Sequence, residues 1–153
     1  MSRIYCYEYP RPMVTVDVAI FSNDGKGPHI VLIQRKNPPF EGQWALPGGF
    51  VDIEEGLKEA ARRELEEETG LRVSRLEQFR AYGDPHRDPR GRVITVVYVG
   101  HTPMLPIRGS DDASKAQWFP IERLPDLAFD HQQIIHDLIS AHWHLSDVKH
   151  TSR

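Results

Sequence analysis

The sequence is poor in cysteine: Cys6 is the only one in 153 residues. A lone thiol cannot close an intramolecular disulfide, and a thiolate metal site would lack its other ligands. Long apolar runs are also missing, and none reaches membrane-spanning length. The opening Met1-Ser2-Arg3-Ile4-Tyr5 lacks the apolar core of a secretory signal. No membrane partner is therefore expected, and the cytoplasm is the expected location. Neither sign of charge is in large excess. The formal net charge of −3 gives no general attraction to nucleic acid or to anionic membranes. A phosphate-bearing ligand would gain nothing from that balance and would need local cations, either arginine or metal ions. Repeats, linkers and a second domain are absent too. The 12 prolines and 11 glycines are scattered, as they are in loops within a fold.

What is present reads as one globular domain over residues 1–153, with 39% hydrophobic and 27% charged residues and enough length for a real core. Residues 1–12 are expected to form an extended N-terminal arm, and 146–153 a frayed tail. Alternation and β-branching predict strands over 14–21, 30–34, 73–82 and 93–101, with a short one at Trp118. The first two should form a hairpin across the turn-rich 22–28. Loops are expected at 36–44 and 83–91. Apolar spacing predicts an amphipathic helix over 129–143, and helix-forming residues fill 54–69. Asp52 with Glu55 resembles a capping box, and Gly70 sits where a left-handed C-terminal cap belongs.

The 54–69 helix carries the chemistry. At about 100° per residue, Leu57, Ala60, Ala61 and Leu65 define an inward arc, with Lys58, Glu59, Arg62 and Glu66 opposite. Glu64, Glu67 and Glu68 fall close to the apolar arc, beside one another. Three carboxylates on a packing face repel unless they take up protons or bind a hard cation. Ligands that are all oxygen suit Mg²⁺ or Mn²⁺, whereas zinc sites more often show His or Cys. The neighbouring Gly48-Gly49 permits close backbone approach and offers N–H groups to phosphate oxygens. A solvated Glu-rich helix is the plainer alternative.

Gly49, Glu55, Arg63-Glu64-Leu65, Glu67-Glu68 and Gly70-Leu71, at these spacings, match every fixed position of the Nudix box. The chain thus resembles the Nudix hydrolases, and the resemblance implies an α/β fold with a mixed β-sheet sandwiched between helices. It implies Glu64, Glu67 and Glu68 as divalent-metal ligands with Gly48 beside them, and Glu55 as a further carboxylate near the metal. It implies that Arg63 orients the glutamates. Bound Mg²⁺ or Mn²⁺ would offset diphosphate charge and acidify water. Glu64 is one candidate base. Asp111 and Asp112 are the candidates outside the box, although a turn or N-cap role suits them better.

Longer stretches resemble the ADP-ribose pyrophosphatase branch: Tyr9-Pro10-Arg11-Pro12, Asn37-Pro38-Pro39-Phe40, residues 44–51, Gly83-Asp84-Pro85 with the following arginines, and Leu127-Ala128-Phe129-Asp130-His131. The implied substrate is a nucleoside diphosphate linked to another group, above all ADP-ribose, with AMP and ribose 5-phosphate as products. Arg35, Arg87 and Arg90 are candidate phosphate contacts, with Gly48 and Gly49. Tyr7, Tyr9 or Phe40 are candidates to stack on adenine. Other nucleotides (an oxidised or noncanonical triphosphate, NADH, a dinucleoside polyphosphate) and a catalytically weak ADP-ribose sensor are the alternatives. Sensors of this branch append a DNA-binding domain for which this sequence leaves no room, so no nucleic-acid partner is expected. Family habit implies a homodimer. His131, His136, His142 and His144 are read as surface or packing residues, because 131 and 136 lie about 140° apart on a helix.

Overall fold

The computed structural model describes residues 3–24, 26–109 and 113–145. Over these the chain runs β1 (Met13–Ser22), β2 (His29–Arg35), β3 (Trp44–Ala45), β4 (Gly48–Phe50), α1 (Leu57–Thr69), β5 (Glu77–Tyr82), β6 (Val93–His101), β7 (Ala113–Pro120) and α2 (His131–Ser140). One mixed sheet has the order β3-β2-β1-β6-β5, with β4 also on β1 and β7 also on β2. The central β1 runs parallel to β6 from Met13↔Val93 to Phe21↔His101. The other pairings between named strands are antiparallel.

The second edge of β1 is shared, and this creates the site. It pairs with β2 only at Phe21↔Ile30 and Ser22↔His29. It then pairs with β4 from Asp17↔Gly48 to Thr15↔Phe50. Between these, Val18 N–H donates to the Pro47 carbonyl at 2.8 Å. The expected hairpin is therefore brief, and β2 spends its length against β7 instead. The Gly48-Gly49 segment occupies the resulting fork.

Side chains alternate across a strand, and the two faces of the sheet divide the core accordingly. Val16, Val18 and Ile20 pack with Val96 and Tyr98 against Ala60, Ala61 and Leu65 of α1. Ala19 and Phe21 pack with Val97 and Val99 against Ile134, Ile135 and Leu138 of α2. The sheet lies between helices, as the resemblance implies. By the same alternation, Asp17 and Thr95 project toward the α2 side.

Several boundaries differ from expectation. Helix α1 starts at Leu57 rather than 54, with extended Gly56 as its N-cap (ψ 155°) and no side-chain cap. Asp52 and Glu55 form a turn just before it. The Glu55 carboxylate accepts the Asp52 N–H at 3.2 Å, which is half of a capping box set ahead of the helix. Gly70 closes α1 in the left-handed conformation, as expected (φ 77°). Strand β5 begins at Glu77 because Leu76 turns into the core under α1. Phe129 takes a positive φ of 53°, so α2 cannot begin there and starts at His131. Strand β7 is longer than the short strand expected at Trp118. The expected tail at 146–153 lies outside the described residues. Residues 3–12 have no regular structure and are exposed. Among the described residues, no helix is long and apolar enough to cross a membrane.

Candidate active site

Helix α1 and the Gly48-Gly49 strand meet along one wall of a cleft. Glu68 is buried at 8% exposure, and its Oε1 accepts the Gly48 N–H at 2.8 Å. Burial, together with the Glu64 and Asp17 charges, pushes the Glu68 carboxyl up to about 8, against the opposing pull of the Gly48 N–H. Glu64 is also raised, chiefly by burial, although Arg63 counteracts this. It lies against Gly49, where an added Cβ would come within 2.5 Å of Glu64 Oε1. Of the three crowded glutamates, Glu67 departs from the inward placement: its side chain is 57% exposed at the rim.

Arg63 gathers this acidic face. Its Nε and Nη2 donate to the two oxygens of Glu55 at 2.6 and 2.9 Å. Its Nη1 donates to Glu64 at 2.9 Å and to Glu67 at 3.2 Å. Its Nη2 also reaches the Phe50 carbonyl at 3.2 Å. These bonds, those to Glu55 first, hold Arg63 well above its ordinary pKa. The Arg63 hydrogen bonds in turn hold Glu55 below its own. Glu55 therefore faces Arg63 as an orienting partner, not as an open proton acceptor.

Among the described residues, no three His, Cys, Asp or Glu side chains converge into a ready metal cage. Arg63 occupies Glu64 and Glu67, and Glu67 points outward. The donor chemistry nonetheless fits a hard divalent cation. Glu64 and Glu68 offer oxygen only, and their raised carboxyls reflect the kind of crowding that a cation would relieve.

Opposite this wall stand the expected arginines. Arg35 and Arg90 line the cleft together with Glu68. Arg35 donates to the Pro39 carbonyl at 2.7 Å. Burial and the nearby Arg90 lower its pKa. Arg90 is gripped by the buried Asp88, with Nη2 to Oδ2 at 2.7 Å. The Arg90 guanidinium also lies over two rings, 4.9 Å from Phe50 and 5.3 Å from Phe129. Arg87 also lines the cleft, with its guanidinium engaged by Asp130. Its side chain is 5% exposed and forks onto Asp130 at 2.8 and 2.6 Å.

The floor of the cleft is a polar chain that crosses three elements. Thr95 of β6 donates to Asp17 Oδ2 at 2.5 Å. Asp17 Oδ1 lies 3.6 Å from Nε2 of His131, the first residue of α2. His131 Nδ1 accepts the Leu46 N–H at 3.0 Å. Burial pushes the Asp17 carboxyl up, but the facing His131 ring, the Thr95 hydroxyl and the Arg87 guanidinium outweigh it, so it sits below its ordinary range.

Sequence reasoning placed His131 among surface and packing residues. It is buried, and it lines the cleft. Asp17, Thr95, Asp88 and Phe50 were missed as site residues. A carboxylate in the middle of a β-branched run was the available signal for Asp17, since Asp is almost never buried without a partner. Phe40, Tyr7 and Tyr9 do not line the cleft. Phe40 packs edge-on against Phe129 at 4.9 Å, while Tyr7 sits on the exposed arm beneath Arg11. Asp111 and Asp112 lie outside the described residues.

A family model described as the NUDIX domain matches residues 11–138. An ADP-ribose pyrophosphatase of Methanocaldococcus jannaschii is 46% identical over 129 residues, which is 84% of this chain and 74% of that protein. An ADPR-responsive transcriptional repressor of Acinetobacter baylyi, NtrR, is 43% identical over 137 residues, 86% of this chain and 53% of the repressor. Among solved structures, the NUDIX domain of Shewanella oneidensis NrtR complexed with ADP ribose superposes with a TM-score of 0.80 at 32% identity. That match covers 87% of this chain and 90% of that one.

Proposed function

This chain belongs to the Nudix family, and from that membership we propose that it is a pyrophosphohydrolase that cleaves ADP-ribose to AMP and ribose 5-phosphate. The observation that carries the reading is the meeting of two crowded, raised carboxyls, Glu64 and Glu68, with a Gly-Gly strand in a cleft faced by Arg35 and Arg90. The 46% identity with an ADP-ribose pyrophosphatase supports this substrate over other nucleotides.

Glu64 and Glu68, joined by Glu67 from the rim and by the Gly48 main chain, would hold the divalent cation, for which the reading takes Mg²⁺ or Mn²⁺. When bound, such an ion supplies neutralisation of diphosphate charge and a lower pKa for water. Arg63 keeps Glu64 and Glu67 turned to one side of α1, and Glu55 fixes Arg63 from behind. Glu64 is one candidate base within the cleft, as the resemblance implies. Asp111 and Asp112 stay as loop candidates for that step. Arg35 and Arg90 bind the diphosphate oxygens, and Gly48 and Gly49 give the ligand close access to the main chain. Arg87 acts through its ion pair with Asp130, holding the 83–91 loop against α2. A cytoplasmic location, and a homodimer that rests on the resemblance, complete the reading.

The similarity to a repressor that responds to ADPR favours one second reading, a sensor that binds ADP-ribose without useful turnover. The chain spans about half the length of that relative. Product analysis with Mg²⁺ over ADP-ribose, NADH, dinucleoside polyphosphates, GDP-mannose and nucleoside triphosphates separates these readings. Rapid release of AMP from ADP-ribose is the expected result. Much faster turnover of a triphosphate would overturn the substrate, and binding with negligible turnover throughout would establish the sensor.

A further inference from the structure

The buried end of the cleft holds a donor and an acceptor left facing each other at an unusual spacing. His131 Nδ1 accepts the Leu46 N–H at 3.0 Å, so that nitrogen carries no proton. The neutral ring must then carry its proton on Nε2. That N–H faces Asp17 Oδ1 across 3.6 Å, wider than the ~2.7–3.2 Å of an N–H···O bond. The other Asp17 oxygen is taken by Thr95 at 2.5 Å. Both side chains line the cleft, yet both residues are less than a tenth exposed.

We propose that Asp17 and His131 form a hydroxyl-recognition subsite at the floor of the cleft. A hydroxyl is the group that satisfies both partners at once, donating to Asp17 Oδ1 and accepting from His131 Nε2. A phosphate oxygen has no proton for Asp17 and is repelled by it. A methylene leaves two buried polar groups unsatisfied. The distance also suits a sugar next to a diphosphate. Asp17 pairs directly with Gly48 across the sheet, and its Oδ1 lies 2.5 Å from where a Gly48 Cβ would stand, so the subsite adjoins the Gly48 main chain. A ribose hydroxyl can reach it while the 5′-phosphate lies over Gly48 and Glu68. The assignment rests on the ADP-ribose reading and adds the residues that would distinguish ribose from deoxyribose.

Calorimetric binding of α,β-methylene ADP-ribose, and of analogues lacking one ribose hydroxyl at a time, tests it in the presence of Mg²⁺. Wild type should lose about 100-fold in affinity for one of the deoxy analogues, the consequence of leaving buried polar groups unpaired. Asp17→Leu removes the acceptor, and should lose a similar factor on the parent compound and bind that deoxy analogue as well as wild type does, within about two-fold. His131→Asn keeps an acceptor for the Leu46 N–H but withdraws the Nε2 donor, and it should show the same loss of discrimination. Hydrogen exchange at the Leu46 amide checks that the loop stays in place. Equal wild-type affinity for every deoxy analogue overturns the subsite alone. So do variants that weaken parent and deoxy compounds equally, the mark of a structural role. Wild type that binds none of the compounds overturns the ADP-ribose reading and takes the subsite with it.

Discussion

At the scale of single residues, Glu68 concentrates the tension in this protein. It is a carboxylate at 8% exposure whose burial and acidic neighbours, Glu64 and Asp17, raise its pKa to about 8, against an ordinary 4.5. Without metal, the folded chain keeps this proton up to about pH 8, while the unfolded chain releases it near 4.5. Between those values the folded form binds more protons, so stability falls as pH rises. At about 1.4 kcal/mol per unit, the effect is a few kcal/mol at most. Urea denaturation in a chelator at pH 5 and pH 8 should show this loss in wild type and a flatter dependence in Glu68→Gln. The same pH dependence in both proteins would remove Glu68 as its source. With saturating metal, Glu64→Gln and Glu68→Gln should each lower kcat by at least about 100-fold while the circular dichroism stays native. The adjoining glycines separate fold from chemistry. A Cβ at Gly48 would strike the Val16 main chain, which cannot give way, so Gly48→Ala should lower Tm. The nearest atoms to a Cβ at Gly49 belong to the Glu64 carboxylate, from 2.5 Å, the movable end of a side chain, so Gly49→Ala should keep its Tm and lose Mn²⁺ affinity instead, as read by calorimetry.

Among the elements, α2 matters to the cleft through its first residues. Asp130, its N-cap, forks with Arg87 of the 83–91 loop, and His131 holds Leu46. Arg87 is 5% exposed, so removing its partner leaves a buried charge unpaired, at a cost of about 3–5 kcal/mol. Asp130→Ala should therefore lower Tm sharply. Arg87→Ala with Asp130→Ala should cost less than the two single losses together; strictly additive losses would mean that the ion pair carries no coupling. Helix α1 was legible in the sequence because its amphipathic arc and its fixed spacings agree. Its start at Leu57 was not, because Glu54 and Glu55 are good helix formers, whereas contacts with Asp52 and Arg63 keep Glu55 in the preceding turn. The role of His131 was hidden for a related reason. A helical wheel compares a residue with its own helix, whereas His131 finds its partners on β1 and on the 44–50 segment.

For the whole molecule, the resemblance implied a mixed sheet between helices, and the structure has one. What patterning could not give is the fork in that sheet. Strands 14–21 and 30–34 read as a simple hairpin, yet β2 pairs along its length with β7, about 80 to 90 residues away, and Gly48-Gly49 fills the space beside β1. Local alternation says which residues share a face but not which strand lies next door. The fork sets the carboxylates of α1, the arginines of β2 and the 83–91 loop, and the Asp17–His131 floor around one cleft. The account stands or falls on a divalent ion held by Glu64 and Glu68 against a diphosphate there. A crystal grown with Mn²⁺ and α,β-methylene ADP-ribose, read by its anomalous signal, measures this directly. The account predicts a manganese peak within coordination distance of both carboxylates and of a diphosphate oxygen. A diphosphate bound elsewhere, with Glu64 and Glu68 still bonded only to Arg63 and Gly48 and no manganese beside them, would contradict it.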